Sequence, residues 1–249
     1  MTDPSTSSLP PALRRAVELF SDPPTRLDLR DGYLDLLDDA ASPNQAPPEN
    51  KGLIQTVWAS GPGSMFYDYA QGLARRFVGA WQLPIEWLDI PKGGVALDIG
   101  SGPGNVTASL AHAAGPEGLA LGIDISRPML ARAVSAQAGP NVGFLRADAQ
   151  RLPFRDESFD AVTSLAVVQL IPEPSSAVSE MHRVLRPGGR IAVMVPTVGN
   201  VPPPLRWLSR GGARFFAEDE LGDLFEQRGF ERVRTKTIGN IQWVRAQHP

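Results

Sequence analysis

The run from Ala96 to Thr107, ALDIGSGPGNVT, constrains this chain more than any other stretch. Val95, Ala96 and Leu97 are apolar and lead into Asp98, and glycines then recur at alternate positions, Gly100, Gly102 and Gly104. A helix-like stretch, Val106 to Ala114, follows directly. The pattern is strand, glycine-rich turn, helix. Glycine accepts φ > 0 and lets the backbone approach a ligand with no Cβ in the way. The N-terminus of the following helix offers unpaired N–H groups and the positive end of the helix dipole. Such a turn belongs at the carboxyl edge of a parallel sheet, where nucleotide-type cofactors bind. A purely structural strand-to-helix turn is the alternative.

Spacing narrows the cofactor. The dinucleotide fingerprint is G-x-G-x-x-G, but Asn105 stands where that pattern needs its last glycine. No lysine follows the glycines, so the phosphate loop is absent as well. The order acid-x-Gly-x-Gly-x-Gly resembles motif I of the class I S-adenosylmethionine (SAM)-dependent methyltransferases. In that family the loop wraps the aminoacyl part of SAM. The resemblance implies contacts from Gly100, Ser101, Gly102 and Gly104, with Asp98 orienting the cationic end.

Later segments continue the resemblance. GLALGID, Gly118 to Asp124, is a second apolar run ending in an acid, about twenty residues past the glycines, the spacing of a strand-end carboxylate that meets a ribose diol. ISRPML then starts a helix, with Ser126 as N-cap and Pro128 in its first turn. By resemblance, Ile125 and Met129 lie near the adenosine. VGFLR, Val142 to Arg146, precedes Ala147 and Asp148. Asp148 resembles the acid that accepts from the adenine amino group, with Ala149 supplying a backbone contact. A fourth strand, Phe159 to Leu165, is expected to end with Leu165 beneath the cofactor. HRVLRPGGRIAVMVP, His182 to Pro196, resembles the helix, Pro-Gly-Gly turn and fifth strand that come next in the family. The resemblance covers roughly Val95 to Val195, and is to the type 11, UbiE-like small-molecule branch.

The fold class implied is α/β: a Rossmann-like, doubly wound, seven-stranded sheet with an antiparallel last strand and a helical N-terminal cap. Residues 1–90 read as a helical extension or lid. Its helical elements are expected after Pro10-Pro11, over Leu27 to Leu37, and over Gly52 to Ala59 and Met65 to Trp81, with a Pro-rich loop at Ala41 to Asn50. Residues 91–249 read as the SAM-binding domain, with a substrate-cover insertion near 197–216. A helix over Glu218 to Arg228 and a hairpin around Gly239-Asn240 complete it.

Composition sets limits. The 249 residues suit one large domain or one domain with an appendage. No run approaches the ~18 apolar residues that span a bilayer, and MTDPSTSSLPP carries no basic residue ahead of an apolar core, so a secretory leader is not expected. A cytoplasmic location is the default expectation. The absence of cysteine excludes disulfides, thiolate metal sites and cysteine nucleophiles. A net charge of −3 gives no reason to expect nucleic acid as a partner. Residues 1–50 are acid-rich and residues 181–249 basic, which reads as two solvated surfaces or as ends that attract each other.

A methyl acceptor that must lose a proton needs a base, and bases are scarce. No cluster has metal-ligand spacing, so no metal is expected. His182 precedes the Pro-Gly-Gly turn, His112 reads as structural, and His248 next to the end reads as disordered. Gln169 follows the fourth strand, where many small-molecule members carry a substrate-facing histidine. It can orient a hydroxyl or carbonyl but is no base. Tyr67 and Tyr69 lie where the resemblance places a tyrosine that closes over the cofactor, with core packing the alternative. Arg206 and Arg210 fall four residues apart beside Trp207, a spacing that suits an anion grip on an amphipathic substrate. These residues imply O- or C-methylation of a small-molecule or lipid-like acceptor by in-line displacement. A quinone precursor methylated on carbon is the alternative, and a non-catalytic SAM-binding partner or sensor the alternative of another class. Association into a homodimer is left open.

Overall fold

Apolar runs that end in polar turns become the strands of a single sheet, and short crossovers fix their order. The computed structural model describes residues 8–24, 27–37, 84–197, 214–239 and 241–249. The strands are β1 (Asp28–Arg30), β2 (Tyr33–Asp35), β3 (Val95–Ile99), β4 (Leu119–Asp124), β5 (Val142–Arg146), β6 (Phe159–Leu165), β7 (Leu185–Pro196), β8 (Glu231–Ile238) and β9 (Ile241–Gln247). Among the described residues they form a nine-stranded sheet in the order β1-β2-β5-β4-β3-β6-β7-β9-β8. Strands β3 to β7 run parallel. The chain steps outward from β3 through β4 and β5, then returns to the other side of β3 with β6. That reversal opens a crevice at the carboxyl ends of β3 and β6, the place where doubly wound sheets bind ligands.

Central parallel strands must be apolar on both faces, and β3 and β4 are buried almost throughout. Among the described residues six helices flank the sheet: α1 (Pro11–Val17), α2 (Ile85–Leu88), α3 (Asn105–Ala114), α4 (Arg127–Gln137), α5 (Pro174–Val184) and α6 (Glu220–Gln227). Strand alternation divides the core in two. Leu97 and Ile99 join Leu13, Phe154, Met181 and Phe225 on the face of α1, α5 and α6. Ala96 joins Leu110, Leu130, Phe144 and Trp243 on the face of α3 and α4. β9 lies antiparallel between β7 and β8, as the hairpin pattern predicts.

Three expectations are corrected. The sheet has nine strands rather than seven, because Leu27 to Leu37 is a hairpin, not a helix. Asp31 and Gly32 form its two-residue loop with φ of 44° and 82°, the two positive values a tight hairpin turn demands. The LDLRDGYLDL stretch alternates around Asp-Gly, a strand period mistaken for a helical one. β2 then joins β5 in parallel, so this hairpin is part of the sheet. His248 is ordered: its backbone pairs with Gly188 and Gly189, and its ring lies 4.2 Å from that of His182. The acid-rich hairpin and basic β8 occupy opposite sheet edges, so charge attraction does not join them. The helices expected over 52–59 and 65–81, the loop 41–50 and most of the 197–216 insertion lie outside the described residues. No helix among the described residues is long and apolar enough to cross a membrane.

Candidate active site

The turn after β3 is clamped onto β4. The N–H groups of Gly100 and Ser101 donate to the Ile123 carbonyl at 2.8 and 2.9 Å, and the Gly102 N–H donates to Asp124 Oδ2 at 3.0 Å. Gly100 has φ +73°, and a Cβ there would stand 2.1 Å from Val167 Cγ2 in the loop leaving β6. Gly104 has φ +83°, and its Cβ would meet Phe144 Cζ at 2.6 Å. These glycines therefore let three crossings pack at one point, and alanine fits neither. Gly122 in β4, which the sequence reading passed over, does the same from below: a Cβ would lie 2.8 Å from that of Ser101.

Asp98 lies beneath this loop, 2% exposed. Thr107 Oγ1 donates to it at 2.7 Å and Thr163 Oγ1 at 3.1 Å. Burial pushes its carboxyl up to about 6, the two hydroxyls pull it back, and nearby Asp124 adds to the rise. Its influence on a ligand therefore passes through the loop as a charge rather than by direct exposure. The Asp124 carboxyl is also raised by desolvation, opposed by the Ser126 and Gly102 amides. Asp124 Oδ1 accepts from the Ser126 N–H at 2.8 Å, and Ser126 is the N-cap of α4 with no capping bond from its own side chain. Asp148 Oδ1 accepts from the Gln150 N–H at 2.9 Å. The Ala147 N–H reaches the Asp124 carbonyl at 3.3 Å, which ties the ends of β4 and β5 together. Ile125, Asp148 and Ala149 are half-buried at the same edge, and Met129 is buried in the first turn of α4.

The fourth strand ends under strain. Ala166, directly after Leu165, has φ +57°, an uncommon conformation for a residue with a Cβ. Its N–H is held by the Met194 carbonyl at 2.8 Å. Gln169 follows in a 3-10 turn, Val168–Leu170, and is 7% exposed with Oε1 unpaired. Buried side-chain atoms normally find partners. Among the described residues the unpaired ones are Ser101 Oγ, Ser126 Oγ, Ser164 Oγ, Gln169 Oε1, Gln242 Oε1 and His182 Nε2. All except His182 lie at the carboxyl edge of the parallel strands, in or beside the crevice. Thr163 and Val167 were missed because each acts through a contact distant in sequence, with Asp98 and Gly100, and Thr107, Ser164 and Gln242 carry no motif of their own.

His182 is not brought to this edge. It ends α5 against Phe230 and His248, at the amino edge of the parallel strands, and burial lowers its pKa. This corrects its candidacy as a catalytic residue. Tyr67, Tyr69, Arg206, Trp207 and Arg210 lie outside the described residues.

Comparison with known proteins supplies the family. Residues 97–193 match the model of the Methyltransferase domain family. The chain is 31% identical over 174 residues to the demethylmenaquinone methyltransferase of Roseiflexus castenholzii, covering 60% of this chain and 73% of that protein. It is 31% identical over 177 residues to that of Staphylococcus aureus, covering 61% and 73%. Its fold is similar to the Haloferax volcanii methyltransferase solved with the Trm112 methyltransferase activator (TM-score 0.66, 18% identity, 80% of this chain and 99% of that one). It is also similar to a SAM-dependent methyltransferase from Aquifex aeolicus (TM-score 0.55, 24% identity, 66% and 87%). With its glycine loop, switch-point crevice and antiparallel last strand, the chain belongs to the class I SAM-dependent methyltransferases, and SAM is its cofactor.

Proposed function

We propose that the protein methylates a small-molecule or lipid-like acceptor seated beside Gln169, with SAM over the Gly100–Gly104 loop. The observation that carries this reading is the unpaired, buried Oε1 of Gln169 at the end of β6. A buried amide oxygen without a partner suits a molecule that brings a hydroxyl or amine to donate to it. The residues present fit SAM. Asp124 is the acceptor for the ribose diol, Asp148 with the Ala149 backbone for the adenine amino group, and Ile125 and Met129 give apolar walls. Asp98 places negative charge behind the cationic end, and Ser101 and Ser126 bring hydroxyls that lack partners. When bound, SAM would supply a sulfonium-activated methyl group, leaving S-adenosylhomocysteine, while the proton on the acceptor atom would be lost to solvent. The protein's part is to orient the acceptor and exclude water, which account for most of the barrier reduction such a reaction needs.

Gln169 accepts a hydrogen bond but does not remove a proton near neutral pH. This favours an acceptor whose nucleophile is already electron-rich. A ring carbon of a quinone precursor is such a nucleophile, and the two demethylmenaquinone methyltransferase relatives favour that second reading. Tyr67, Tyr69, Arg206, Trp207 and Arg210 remain proposed contributors to a cover over the acceptor. The test is methyl transfer from labelled SAM to quinols, a lipid extract, protein and RNA. Label in the quinol or lipid fraction is expected, with Gln169→Ala raising the acceptor KM and leaving SAM affinity unchanged. Label confined to protein or RNA would overturn the reading.

A further inference from the structure

We infer that Asp35, in the N-terminal hairpin, is a positioning residue for the adenosine half of the cofactor site. The inference rests on the assignment of Asp124 and Asp148 to SAM made above. Asp35 ends β2, opposite Arg146 in β5. Its side chain is 3% exposed and lies between two arginines: Arg127 Nη2 is 3.2 Å from Oδ2, and Arg146 Nη1 is 3.2 Å from Oδ1. Neither arginine is placed at random. Arg127 opens α4, three residues after Asp124. Arg146 ends β5, two residues before Asp148, and also donates to the Ile125 carbonyl at 3.0 Å and the Leu37 carbonyl at 3.2 Å. The Leu37 N–H in turn donates to Asp35 Oδ1 at 3.1 Å.

One buried carboxylate thus joins three segments: the hairpin, the turn carrying Asp124 and Ile125, and the turn carrying Asp148 and Ala149. A buried charge pair holds geometry firmly, because removing one partner leaves the other unpaired in a poorly solvated place. The two turns come from different crossovers, and they are linked directly by the 3.3 Å bond from the Ala147 N–H to the Asp124 carbonyl and by the 3.0 Å bond from Arg146 Nε to the Ile125 carbonyl, the second made by a guanidinium that Asp35 holds. Without Asp35 the ribose-side and adenine-side turns lose their shared anchor. The hairpin is then a brace behind the two turns, built by adding a strand to the sheet edge.

The test titrates S-adenosylhomocysteine and 5′-methylthioadenosine into the full-length protein and into Asp35→Asn, Arg127→Gln and Val134→Ala. Val134 is the control. It packs on the same hairpin, with its Cγ1 2.7 Å from where a Cβ on Gly32 would stand, and it touches neither turn by charge. Asp35→Asn is expected to weaken both ligands by about tenfold and by the same factor, since both carry the adenosine half. Arg127→Gln, whose partner keeps Arg146, is expected to shift both in the same direction by less, and it remains decisive if Asp35→Asn does not fold. Val134→Ala is expected to lower Tm and leave both affinities within about twofold. Equal weakening by Val134→Ala and Asp35→Asn, or unchanged affinity in Asp35→Asn and Arg127→Gln, would overturn the inference. Wild-type protein that binds neither ligand would overturn the cofactor assignment itself, and this inference with it.

Discussion

Asp98 shows how a buried carboxyl carries a stability cost at the place proposed for a cationic ligand. An aspartate in an unfolded chain titrates near 3.9, whereas this one is raised to about 6 by burial. Because the folded-state value is the higher, ionisation of Asp98 disfavours the folded state. That cost is fully present above about pH 6 and disappears as pH falls towards the unfolded value. The same negative charge favours a cationic ligand. SAM affinity is therefore expected to strengthen as pH rises through about 6, even though this group alone makes the fold less stable there. Thr163 donates to Asp98 and favours the ionised form. Thr163→Val should move the midpoint of that rise to higher pH, as calorimetric titration across about pH 5 to 8 would show. A flat profile, or a midpoint moved downward, would contradict the account. The acid at position 98 was legible from its place before the glycines, but its partners were not. Thr163 is 65 positions away and meets Asp98 only because β6 lies beside β3.

Elements differ in how plainly the sequence spells them. β5 and β6 span the predicted residues because each is a run rich in apolar and β-branched residues preceded by turn residues. The β1–β2 hairpin was misread because its short alternation also fits a helical stripe, and only the Asp-Gly pair separates the two. Only the end of α5, at His182, was placed from the sequence, and the reason for Arg183 on it was hidden. Its guanidinium donates to the Phe154 carbonyl at 2.7 Å and the Leu152 carbonyl at 3.2 Å, and pairs with Glu180 at 2.7 Å. Glu180 in turn accepts from the Leu152 N–H at 2.7 Å. This staple fixes the 152–156 loop, whose apolar members Leu152 and Phe154 enter the core. The additional pair with Asp156, 75% exposed, contributes little. Arg183→Ala is expected to lower unfolding stability by about 2 kcal/mol, with an unchanged denaturant m-value and unchanged SAM affinity. A loss below about 0.5 kcal/mol in urea denaturation would show that the staple is only a surface pair.

At the scale of the whole molecule, the residues proposed for the cofactor are placed by chain order and those proposed for the acceptor are not, for one physical reason. The acids and glycines proposed for SAM follow each strand locally, so chain order alone spells their position. Acceptor recognition depends on where loops from separate strands meet. Val167 against Gly100, the strain at Ala166, and the unpaired oxygens of Ser164, Gln169 and Gln242 leave no periodic trace in the sequence. The two sheet edges follow the same division: β8 and β9 were predicted from their turn, whereas β2 beside β5 is a tertiary choice locked by Asp35. The central claim is that SAM sits on the glycine loop with its ribose at Asp124. The most direct test is calorimetric titration of S-adenosylhomocysteine into the wild-type protein and into Asp124→Ala. The account predicts saturable one-to-one binding that weakens by about tenfold or more in the variant, while the variant stays folded. Equal affinity in the two proteins, or no binding to a folded wild type, would contradict it.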